Sequence, residues 1–165
     1  PEREAFRNIE EVRAGSRTSI GPVSVTVTRA DHGGQRFPFG PEADAVGYLF
    51  HGRTSVYFAG DTDIFPEMSD IHGDLDVALL PVWGWGPTLG PGHLTPGRAA
   101  ESLAMLRPRA AIAIHWGTFA PFGLGWLRPR FLTTPPYDFA DHASDLAPGV
   151  KVHVVQPGSR FRFRH

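Results

Sequence analysis

No cysteine occurs among the 165 residues, which excludes disulfide bonds and thiolate metal sites. Any metal bound here must therefore use histidine, aspartate or glutamate. Net charge is almost absent as well. A formal value of -1 at pH 7 gives no general field that would draw the chain to nucleic acid or an anionic membrane. No apolar run approaches the ~18 residues of a spanning helix, so no transmembrane segment is expected. The chain opens at Pro1 rather than methionine and shows no signal peptide, which reads as a processed product, a trimmed chain or the ordered part of something longer. Finally, none of the eight histidines is spaced as His-x-His.

What is present is ordinary globular material. With 41% hydrophobic and 20% charged residues, the chain has the composition of a soluble, cytoplasmic protein with one domain over residues 1–165. Nineteen glycines and sixteen prolines point to short elements joined by tight turns.

The strongest local signal is Val56-Tyr57-Phe58-Ala59-Gly60-Asp61-Thr62-Asp63, an apolar run that stops at a glycine and delivers carboxylates at a strand end. In open α/β sheets such ends border the ligand crevice. Upstream, residues 8–12 fit either a short helix or an edge strand, and Ser19-Ile20-Gly21-Pro22 reads as a turn. Val23 to Thr28 alternates as a half-buried strand, and Ala45–Phe50 with Thr54–Ala59 reads as a hairpin. Downstream, Leu75 to Pro81 reads as a central strand. A helix is predicted from Thr95 as N-cap and Pro96 at its first position, with Ala99, Leu103 and Leu106 on one face and Pro108 as the stop. Ala110 to Ile114 reads as another buried strand. Residues 119–136 form no periodic pattern and read as an ordered wall or lid. A helix over 139–146 and strands over 150–155 and 160–163, turning at Pro157-Gly158, complete the chain.

Four polar residues share one placement. His32, Asp61 and His115 each follow an apolar strand, and His93 immediately precedes the predicted helix. Imidazole nitrogen and carboxylate oxygen suit a divalent transition metal, and an aspartate can bridge two ions. Trp83, Trp85, Trp116 and Trp126 are candidates for an apolar pocket wall, Arg128 and Arg130 for contacts to an anionic group, and Asp63 for orienting a ligand or capping its turn.

The runs Ala59-Gly60-Asp61-Thr62-Asp63, Gly92-His93-Leu94-Thr95-Pro96 and Ile114-His115-Trp116-Gly117-Thr118-Phe119, in that order, resemble the second half of the metallo-β-lactamase-fold hydrolases. The nearest resemblance is to the ascorbate-6-phosphate lactonases and the N-acylphosphatidylethanolamine phospholipase D. The resemblance implies an α/β fold, the αββα sandwich of that family, represented mainly by its second half as a mixed sheet with flanking helices. It implies that His32 ligates a first metal, that Asp61 bridges both, that His115 ligates the second, and that His93 contacts substrate or assists proton transfer. Zinc is the expected ion, with manganese or iron as alternatives. The implied reaction is hydrolysis of an ester-like bond in a small molecule, by a hydroxide bridging two metals that polarise the scissile group. Asp61 and His93 are then the catalytic candidates, and Trp83, Trp85, His93 and Trp116 the substrate contacts.

The family's His-x-His-x-Asp-His motif is missing from these residues. A catalytic zinc has about three protein ligands, whereas two ions here would share His32, Asp61 and His115. The expectation is a carboxyl-terminal part of a hydrolase whose other half was cleaved, disordered or supplied by a second chain. A non-catalytic or degenerate domain serving binding or assembly is the alternative.

Overall fold

The computed structural model of the protein describes residues 9–33, 44–71, 73–84, 88–117, 123 and 130–163. Seven strands form one sheet in chain order: β1 (Arg17–Ile20), β2 (Val23–Arg29), β3 (Val46–His51), β4 (Ser55–Phe58), β5 (Val77–Pro81), β6 (Ala110–Ile114) and β7 (Lys151–His153). β1 to β4 are antiparallel neighbours, and β4 to β7 are parallel. The polarity has a functional consequence. β2, β4, β5 and β6 all run in the same sense, so the segments carrying Asp31, Asp61, Trp83 and His115 leave the sheet along one edge.

Parallel strands need long crossovers, and the sequence supplies them. A 3-10 turn (Pro66–Ile71) lies between β4 and β5, helix α1 (Pro96–Leu106) between β5 and β6, and helix α2 (Pro135–Leu146) between β6 and β7. α1 begins as its sequence requires. The Thr95 hydroxyl accepts the Arg98 amide 3.3 Å away and Pro96 occupies the first turn. It ends at Arg107 in the left-handed region, whose amide returns to the Leu103 carbonyl.

The two sheet faces differ. On one, Tyr57, Ala78, Leu80, Ala111 and Ala113 join Ala99, Leu103 and Leu106 of α1 and Phe139 and Ala143 of α2 in the main core. On the other, the register aligns Val25, Phe50, Val56, Val77 and Ala110 in one row and Val27, Tyr48, Phe58, Leu79 and Ile112 in the next. None of these belongs to the core beneath the helices. Near β1, Ile9 and Val12 lie against this second face, while Phe58 is 37% exposed and Ile20 69%.

Several expectations are corrected. Residues 160–163 are not a strand: Phe161 lies on His153 and Phe163 under Arg109, so side-chain contact replaces a backbone ladder. β7 is correspondingly shorter than residues 150–155. Residues 9–12 are neither helix nor strand. The stretch read as a turn before Val23 contains β1 up to Ile20, and the turn proper is confined to Gly21-Pro22. α2 starts four residues earlier than expected, at Pro135-Pro136, whose fixed φ suits a first helical turn. The 3-10 turn carries no periodic signature and was not anticipated.

Candidate metal centre

Asp61 reaches the sheet edge through Gly60, which has φ +68 and where an added Cβ would lie 2.9 Å from the Val46 carbonyl oxygen. Only glycine fits that exit without strain or clash. The carboxylate is then divided between two environments. Oδ1 is buried with no hydrogen-bond partner among the described residues, whereas Oδ2 lies 3.3 Å from Nε2 of His115.

Each neighbouring imidazole is fixed through its other nitrogen. Nδ1 of His32 lies 2.9 Å from the Gly92 carbonyl, and Nδ1 of His115 lies 2.8 Å from the Trp83 carbonyl. A carbonyl only accepts, so both Nδ1 atoms donate and Nε2 is the ring atom left to each as a potential ligand. His93 repeats the pattern more loosely, with Nδ1 3.3 Å from the Pro91 carbonyl. One potential ligand atom from each of His32, Asp61 and His93 lies within 4.8 Å of the others, and the His32 and His93 rings meet edge to face at 4.6 Å. His115 stands outside that group, on the Oδ2 side of Asp61, and adopts φ 58, an uncommon conformation for a non-glycine residue that turns the chain sharply off β6.

Ligand atoms of His32, Asp61 and His93 gather within 4.8 Å of one another beside a buried Asp61 Oδ1 that has no partner among the described residues, a setting that a cation would satisfy. The donor set of nitrogen and oxygen, with each imidazole oriented by a backbone carbonyl, fits a divalent metal.

The surrounding loops are tied together by short contacts. Asp31 and Asp63 form an isolated antiparallel bridge, with the Asp63 amide 2.8 Å from the Asp31 carbonyl. Asp63 Oδ1 accepts the Ile64 amide at 2.8 Å and Nε of Arg98 at 2.6 Å, and this hydrogen bond holds the Arg98 guanidinium above its usual pKa. Gly92 lets the His93 loop approach closely, since a Cβ there would lie 3.2 Å from the His32 Cα.

The structure thus brings His32, Asp61, His93 and His115 to one edge, with His93 nearer to His32 and Asp61 than the sequence implied. Trp83 is half-buried at the same edge, where its carbonyl orients His115. Trp116 is half-buried too, but packs against the main core and donates its indole N–H to the Ala113 carbonyl at 3.3 Å. Trp85, Trp126 and Arg128 lie outside the described residues. The sequence reading passed over Thr62, which is fully buried beside Asp61 although it stands between two aspartates in a turn.

The chain is similar to known proteins over nearly its whole length. Residues 1–116 match the model of the beta-lactamase superfamily domain. A UPF0173 metal-dependent hydrolase of Methanopyrus kandleri is 30% identical over 165 residues, covering 96% of this chain and 64% of that protein. A second, from Caldivirga maquilingensis, is 29% identical over 162 residues, covering 95% and 61%. Among solved structures, a metallo hydrolase of the archaeon Ignicoccus hospitalis superposes with a TM-score of 0.71 at 23% identity, over 98% of this chain and 64% of that one. The metallo-beta-lactamase fold protein YhfI of Bacillus subtilis gives 0.62 at 14% identity, over 91% and 53%. The chain therefore spans less than two thirds of the length of these relatives. With a family model matched over more than half its residues, on a sheet whose ends gather a metal-suited set of side chains, the chain belongs to the beta-lactamase superfamily domain family.

Proposed function

We propose that this chain carries part of the metal centre of a zinc-dependent hydrolase acting on an ester-like bond, in a lactone, a phosphodiester or a similar small substrate. The observation that carries the proposal is the gathering of His32, His93 and His115 about Asp61, whose buried Oδ1 has no partner among the described residues. The names of the Methanopyrus and Caldivirga relatives support a metal-dependent hydrolase. The resemblance of Ile114 to Phe119 to the lactonase and phospholipase D branch supports the class of bond.

In this reading His32, Asp61 and His115 would hold the metal, and zinc held there would supply Lewis acidity and a bound water of lowered pKa. His93 has its Nδ1 turned to the Pro91 carbonyl, so its Nε2 is the atom that takes or gives a proton near the substrate. Trp83 and His93 border the substrate side of the sheet edge. Because two ions need more donors than these, further ligands come from a preceding portion of the protein or from a second protomer. The same portion covers the apolar sheet face bearing Phe58 and Leu79.

The test is metal content and turnover of the full-length protein with zinc, assayed on a lactone, a phosphodiester and a carboxylic ester. Zinc-dependent hydrolysis of one of them, lost in D61N, is expected. A protein that holds no zinc, or that hydrolyses all three equally well after chelation, would overturn the proposal.

A further inference from the structure

We infer that the Thr62 hydroxyl is the positioning group that sets His32 against Asp61, while the Thr62 backbone carbonyl ties on the His93 loop, an inference that rests on the metal-centre reading above. Thr62 is fully buried. Its Oγ1 accepts the Asp31 amide at 2.8 Å and donates to the Asp63 carbonyl at 2.7 Å. Its own carbonyl accepts the Leu94 amide at 2.9 Å. One residue thereby joins three separate loops: the exit of β2, the exit of β4 and the entry to α1.

The placement of these bonds along the chain gives the inference its content. Asp31 is the residue before His32, Thr62 the residue after Asp61, and Leu94 the residue after His93. Each anchor is thus one peptide away from a side chain of the metal-suited group. His115 has no such link. It is held by the Trp83 carbonyl instead, on the other side of Asp61. Thr62 accordingly governs one side of the centre and leaves the other to β6. A hydroxyl has one donor and two lone pairs, and here it satisfies an amide and a carbonyl that belong to different loops. Valine matches threonine in shape but does neither, so both backbone groups lose that partner and the exits of β2 and β4 lose the side-chain tie between them, while the position-62 carbonyl still holds the Leu94 amide. Serine keeps both bonds.

Outer contacts of this kind alter metal affinity by roughly 10–100-fold. Zinc titration of the full-length protein is expected to show a loss of that size for T62V at the tighter site, while T62S stays within about threefold of wild type. A second readout needs no metal. In long-range proton–nitrogen NMR spectra of the metal-free protein, the ring nitrogens of His32 shift in T62V and those of His115 do not. Equal zinc affinity in T62V and wild type would overturn the inference, as would a T62S variant weakened as much as T62V, because packing rather than the hydroxyl would then be responsible. Where T62V fails to fold, a T62S variant weakened by about tenfold or more overturns the inference by itself. Wild-type protein that binds no zinc would instead remove the metal-centre reading itself, and with it the role assigned to Thr62.

Discussion

Nε2 of His115 lies 3.3 Å from Oδ2 of Asp61, joining the end of β6 to the end of β4 across β5. With the other ring nitrogen donating to the Trp83 carbonyl, Nε2 is the ring atom turned to the carboxylate. The same carboxylate also presents its buried Oδ1, which has no partner among the described residues. Asp61 therefore has one oxygen against His115 and one buried oxygen without a partner among the described residues, an arrangement that a turn-capping aspartate does not need.

Single histidine substitutions separate ligands from the proton carrier. In the full-length protein, H32A and H115A are each expected to lose about one equivalent of zinc. H93A is expected to retain both equivalents and to lose turnover by roughly 10²–10⁴-fold, the usual contribution of a positioned acid or base. Metal analysis beside steady-state assays checks this. Loss of zinc in H93A would make His93 a ligand, consistent with its position within 4.8 Å of His32 and Asp61.

Gly60 links the fold to the centre. G60A forces an alanine to φ +68 and sets its Cβ 2.9 Å from the Val46 carbonyl, so the β4 exit must move. The expected cost is about 1–3 kcal/mol, read from the denaturant midpoint of the metal-free protein. Zinc affinity should fall with it, because Asp61 is the next residue. A variant as stable as wild type would show that the exit loop relaxes freely.

The parts of this architecture governed by local rules were legible in the sequence. Thr95-Pro96 fixed the start of α1, and the apolar runs ending at Ala59, Pro81 and Ile114 located the parallel strands. Since strand ends bring residues together, His32, Asp61 and His115 were already candidates before any coordinates. Features that depend on tertiary partners were not legible. The Arg160–Phe163 alternation has strand periodicity, yet its aromatic rings are used against His153 and Arg109 rather than in a ladder. Thr62 reads as one more turn residue until its three partners, from positions 31, 63 and 94, are seen to meet.

His153 gives a pH dependence whose sign is defined. Burial first, and Lys151 second, hold its pKa below the usual 6.5; Arg109 and Arg162 line the same cavity. Between the folded value and 6.5 the unfolded chain binds more protons, so stability rises with pH through that window and is lost as pH falls through it. Denaturant melts of H153Q between pH 5 and 7, set against wild type, should show a flatter profile. An unchanged slope would assign the dependence to other groups.

The second sheet face sets the last expectation. Phe58 is 37% exposed and aligned with Tyr48 and Leu79 in a row that no helix of the described residues covers. Apolar rows of this kind mark an interface when they run across several strands. In the 165-residue chain by itself this face is expected to pair with a second copy, so light scattering should report a mass above the 18.1 kDa of one chain. F58K places a charge in the middle of the row and is expected to shift the population toward monomer without lowering the melting temperature, since Phe58 lies outside the main core. A wild-type chain that is monodisperse at 18.1 kDa would show that this face needs no cover. The proposal that a preceding portion or a second protomer packs there would then fail.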